Sequence, residues 1–81
     1  MYNKKEIEKN LILLEHVINR DFPKAYEKKH RENIIRTNIF AELGLESLSL
    51  LKEDNYLKEV KEKIKKYLKD SKKILNKYNL E

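Results

Sequence analysis

Gly44 and Pro23 are the only glycine and the only proline in this chain of 81 residues. A β-sheet doubles back every few residues, and its tight turns draw heavily on those two residue types. A chain with one of each can reverse sharply only a few times, so long helices with short connections are what it can build. We expect an all-α fold: a small antiparallel helical bundle of three long helices plus one short helix, with residues 1–81 forming a single domain.

Charged residues make up 41% of the chain and hydrophobic residues 40%. That balance is too apolar for a disordered segment and too charged for a membrane protein. The absence of cysteine excludes disulfides, thiolate metal sites and a cysteine nucleophile. The longest apolar run, Leu11 to Leu14, is far short of a membrane span, and the polar, mixed-charge stretch from Tyr2 to Asn10 does not read as a signal peptide. A cytoplasmic location is the expectation.

The first helix is expected from about Lys4 to Asn19 or Arg20, capped by Asn3, with Glu6 reaching back as in a capping box. Ile7, Leu11, Leu14 and Ile18 recur at helical spacing with Leu13 and Val17 beside them, and Ile12 falls off that stripe. Asp21-Phe22-Pro23 reads as a break, with Asp21 capping a second helix and Pro23 in its first turn. That helix is expected to run to about Leu43, with Glu27–Arg31 and Glu32–Arg36 as ion pairs and Gly44 as the left-handed residue that ends it. Leu45 to Glu53 reads as a short separate helix, and Asp54-Asn55 as a bend. The last helix is expected from about Tyr56 to Tyr78. Leu57, Val60, Ile64, Tyr67, Ser71, Ile74 and Tyr78 alternate three and four apart along it, a heptad seam widened by Leu68 and Leu75.

Little in this pattern suggests catalysis. His16 and His30 are the only histidines, each alone on its own helix, without a second ligand at metal-binding spacing. No glycine-rich phosphate loop or Gly-x-Ser-x-Gly motif is present, and neither Arg20 nor Arg31 is followed by the histidine that helical nucleases of the HEPN type place four to six residues later. The expectation is a non-enzyme with no cofactor and no metal.

The net charge of +5 is uneven. Residues 1–20 contribute +1, residues 21–44 contribute +1, residues 45–55 contribute −2 and residues 56–81 contribute +5. A basic helix attracts phosphate, so nucleic-acid binding through Lys65, Lys66, Lys69, Lys72 and Lys73 is one candidate function. The last helix holds no arginine, the residue that most often reads guanine edges, and a lysine face also serves solubility. A helix-turn-helix centred on Gly44 is excluded: Phe40 falls where a small residue is needed, and the would-be recognition segment, Glu46 to Asn55, has three acids against one lysine.

Protein binding is the favoured function. Ile12, Leu51 and Tyr56 exceed what one small core needs, and tyrosine is a frequent interface anchor. A protein that works this way should expose an apolar or tyrosine patch, and the acidic segment 46–54 beside a basic helix would steer a charged partner. A homodimer formed by pairing helical seams is a further possibility. In length, charge and helicity the chain resembles small bacterial and phage regulators such as bacteriocin immunity proteins, antitoxins and inhibitors of host defence enzymes. That resemblance implies an inhibitor, immunity factor or adaptor.

Overall fold

A computed structural model describes residues 2–78. They form three helices, α1 (Lys4–Arg20), α2 (Lys28–Ser49) and α3 (Asn55–Lys77), packed into a body of 42 × 20 × 16 Å. Packing is closest between α2 and α3, and α1 lies more loosely against both.

The ends of α1 and the start of α3 follow local chemistry. The Asn3 side chain accepts hydrogen bonds from the backbone N–H groups of Lys5 and Glu6, at 3.0 and 3.3 Å, satisfying donors that have no partner inside a helix. Asp54 does the same for Leu57 at 2.8 Å and also accepts from the Tyr2 hydroxyl at 2.7 Å, which ties the N-terminus to the start of α3. Tyr2 stacks on Tyr56 with ring centroids 6.0 Å apart, and the Lys4 ammonium sits 4.8 Å from the Tyr56 centroid.

The core is the α3 seam, Leu57, Val60, Ile64, Tyr67, Leu68 and Ser71, covered by Ile7, Leu14 and Val17 of α1 and by Ile34 and Ala41 of α2. Ile74, Leu75 and Tyr78 extend the seam as half-buried residues. Ile18, although on the α1 stripe, is partly exposed.

Two boundaries differ from the sequence expectation. Gly44 does not end α2, and no fourth short helix follows it: Leu45 to Ser49 are the last residues of α2, and Leu50 to Asp54 are its connection to α3. The backbone at Gly44 is not left-handed. Ile34, Asn38, Ala41, Leu45 and Leu48 recur four and three apart straight across the glycine and face the core or its edge, so burial on both sides carries the helix through a residue that disfavours it.

The second difference is the loop 21–27. Asp21 does not cap α2; it follows α1 as its C-cap and is fully buried. Its carboxylate accepts from His30 Nδ1 at 2.6 Å, from Asn33 Nδ2 at 3.4 Å and from the Arg20 guanidinium. Turned inward to those partners, it is not available to the α2 terminus. The chain instead takes successive turns, with Lys24 N–H bonded to the Asp21 carbonyl and Glu27 N–H to that of Lys24, and α2 begins at Lys28. Arg31, expected to pair with Glu27, donates to the carbonyls of Ala25 and Tyr26 at 2.9 Å each, and Arg36 donates to Asn33. Buried Ala25 and the stack of Phe22 on Tyr67, with centroids 5.6 Å apart, seat the loop on the end of the core.

Candidate functional site: an apolar helix face and groove

α2 is apolar on two sides. One side joins the core. On the other, Ile35, Ile39 and Leu43 follow each other four residues apart, a spacing that stacks side chains along one helix face, and Phe40 flanks them. These residues are 48%, 55%, 56% and 70% exposed. Leu50, just past the helix end, is also exposed. Charged residues such as Glu32, Arg36 and Glu46 share the rest of the helix surface, and no other element among the described residues covers this second apolar side.

Beside this face α1 and α2 stand apart, leaving an apolar groove of about 460 Å³. Leu11, Leu13 and Leu14 form one wall, Phe40, Gly44 and Leu48 the other, and Val60 and Ile64 of α3 the floor. Gly44 has no heavy atom within 4 Å of where a β-carbon would stand, beyond its own helix backbone and chain neighbours. Phe40 and the half-exposed Leu13 join the groove to the outer face of α2. Asn10, Thr37 and Ser47 are its polar side chains, and its lining includes no carboxylate, imidazole or thiol.

The residues singled out in the sequence lie in different places. Ile12 is exposed on α1, on the side away from the core. Leu51 and Tyr56 are half-buried at the α2–α3 connection, where Leu51 shares a smaller cavity with Tyr2 and Asp54, and Tyr56 lies under Tyr2. Ile12 therefore stands apart from the other two. The larger exposed surface is that of Ile39, Phe40 and Leu43. Its signal in the sequence is the surplus of apolar residues in the second helix, Ile34-Ile35, Ile39-Phe40 and Leu43, of which only Ile34 is buried.

All five candidate lysines of α3 are exposed. Lys66 pairs with Asp70 at 3.0 Å and Lys72 with Glu42 of α2 at 3.2 Å. Lys65, Lys69 and Lys73, four apart and so in one row, have no ion-pair partner among the described residues. In the acidic segment, Glu53 pairs with Lys61 and Asp54 serves as the α3 cap.

The buried polar cluster around Asp21 forms the other concentration of chemistry. Burial by itself would raise the Asp21 carboxyl; the hydrogen bonds from Arg20, His30 and Asn33 outweigh it and hold the group below the usual carboxylate range. Glu27 lies 3.4 Å from His30 Nε2, on the other side of the ring. No cluster of three or more histidine, cysteine or carboxylate residues able to hold a metal ion occurs among the described residues. No helix among them is long and apolar enough to cross a membrane. No protein-family model matches the chain, and neither does any curated protein or solved structure.

Proposed function

We infer that this protein is a small non-enzymatic interaction protein, of the inhibitor, immunity or adaptor kind, that binds another protein through the outer face of α2. The observation behind this reading is the second apolar side of that helix. Ile35, Ile39, Phe40 and Leu43 leave on the order of 450 Å² of apolar surface in water, within the roughly 300–600 Å² that the largest patch on a typical monomer reaches and that often marks a binding site. An aromatic residue projecting among aliphatic neighbours is also the usual composition of an interface centre. An apolar groove without acid, base or thiol suits docking better than bond chemistry.

The test is affinity capture from the native cell after nuclease treatment, comparing the wild type with an Ile39→Gln/Leu43→Gln variant. Both residues are exposed, so the variant keeps the fold. A partner held by the wild type and lost by the variant supports the reading; a partner held equally by both refutes this face as the binding surface.

The row of Lys65, Lys69 and Lys73 supports a second reading, a nucleic-acid binder acting through α3. Its signature is affinity for DNA or RNA that falls steeply with salt and disappears when these three lysines become glutamine. No binding at low ionic strength removes it.

A further inference from the structure

His30 stands between two carboxylates. Its Nδ1 lies 2.6 Å from Asp21 Oδ1, and its Nε2 lies 3.4 Å from Glu27 Oε1. An ionised carboxylate only accepts, and a neutral imidazole has a single N–H to donate. With one proton on the ring, one nitrogen therefore turns its lone pair toward a carboxylate oxygen. Only the doubly protonated ring satisfies both contacts. The ring is buried, so water does not readily replace either partner. The two carboxylates belong to the two ends of the loop 21–27, so a single side chain closes that loop on both sides.

We propose that His30 is a proton-operated latch on this loop: it holds Asp21 and Glu27 together while the ring carries two protons, and it releases Glu27 when Nε2 loses its proton. Asp21 keeps the remaining N–H. Its contact is the shorter one, and its carboxylate is fully buried, where losing a donor is costly. Glu27 is the side that lets go. Its side chain is 43% exposed, and although it is the N-cap residue of α2 it makes no hydrogen bond to the end of that helix. Once released, its carboxylate turns to water at little cost.

The groups around the ring leave the switching to histidine. From α1, Arg20 pairs with Asp21 and stays charged at every pH of interest. Within α2, Asn33 donates to Asp21 and carries no charge, and Arg31 holds the carbonyls of Ala25 and Tyr26. From α3, the Tyr67 hydroxyl feels the Asp21 charge but ionises only near pH 12. Histidine is the one residue type among these whose ordinary titration falls between about pH 5 and 8. Because Arg31 grips the middle of the loop in both states, the movement is confined to the Glu27 end and the first turn of α2. There the Glu27 N–H bonds to the Lys24 carbonyl, and the N–H groups of His30 and Arg31 bond to the Glu27 carbonyl. The same loop carries buried Ala25 and the Phe22 ring stacked on Tyr67, so the latch sets how firmly this end of the core is closed.

Nitrogen-15 NMR of the whole labelled chain tests the latch by following both histidine rings and backbone amide exchange from pH 5 to 8. His16, exposed on α1, is the internal reference. The expected His30 ring has both nitrogens protonated at the acid end and only Nδ1 protonated at the alkaline end. Protection of the Glu27, His30 and Arg31 amides, corrected for intrinsic exchange, should fall about two- to fivefold with the same midpoint, the weight of one partly exposed ion pair. In Glu27→Gln the side-chain amide accepts from a protonated Nε2 and donates to a deprotonated one, so protection should become level across this range. The proposal is overturned by a ring that keeps one protonation state from pH 5 to 8 or that ends with its proton on Nε2. It is equally overturned by protection that stays level in the wild type while the ring titrates, or by a fall that persists unchanged in Glu27→Gln.

Discussion

Replacing Gly44 by alanine separates two structures that look alike from the sequence. If Gly44 ended a helix in the left-handed conformation, alanine would cost about 1–2 kcal/mol, because its β-carbon clashes with the backbone there. In the structure Gly44 is an interior residue of α2, its backbone is not left-handed, and an added β-carbon meets open space. Alanine then removes the entropic penalty of glycine and stabilises the fold by about 0.5–1 kcal/mol. For a domain of this size each kcal/mol moves the melting temperature by about 4–8 °C, so Gly44→Ala should melt roughly 2–8 °C higher. The assay is a thermal melt followed by circular dichroism. A fall of several degrees refutes the placement of Gly44 inside a continuous helix.

Other perturbations probe the loop and the core. Asp21→Asn removes the buried carboxylate while keeping its shape, and should cost about 2 kcal/mol at neutral pH, most of it from His30 and Asn33 because Arg20 is largely exposed. Because the folded Asp21 pKa is depressed, its contribution is present above the unfolded value near 3.9 and is lost as pH falls through the lower folded value; urea melts of the variant should be flatter across this acid range than those of the wild type. Burial pushes the Tyr67 hydroxyl up to about 12, the nearby Thr37 hydroxyl opposing the shift and the Asp21 charge adding to it. A raised pKa gives stability that is whole below the unfolded value near 10 and is lost as pH rises through 12, so phenol absorbance should show one tyrosine ionising last, together with unfolding. Phe22→Ala removes a half-buried ring stacked on Tyr67 and should cost about 2 kcal/mol in a urea melt; an unchanged midpoint would show that the loop does not brace the core.

The parts of the fold legible in the sequence were those set by neighbours in the chain. Asn3 and Asp54 cap the residues directly after them, and the α3 seam repeats over several turns, so α1 and α3 were placed to within a residue or so. α2 was not, because its extent depends on burial. Asn38 and Ala41 complete the core stripe across Gly44, but a polar and a small residue do not announce themselves as core. The loop was misread because Asp21, a good cap in isolation, finds His30 nine residues away, a contact made only after α1 and α2 come together. For the candidate site, the sequence points to surplus apolar residues; of these Ile12 is exposed, whereas Leu51 and Tyr56 are half-buried. The larger patch was hidden in α2, because a run of isoleucine, phenylalanine and leucine does not say how many of its members one core can cover.

The uneven charge of the molecule sets how it responds to salt. Lysines are concentrated on α3 and the exposed apolar face lies on α2, so two like molecules approaching through α2 still repel over a distance that depends on ionic strength. Added salt shortens that reach and strengthens contact between apolar faces. The same salt displaces any phosphate held by α3. A titration with sodium chloride alone therefore separates the two readings, because contact between like molecules through α2 would strengthen as the ionic strength rises while contact of phosphate with α3 would weaken.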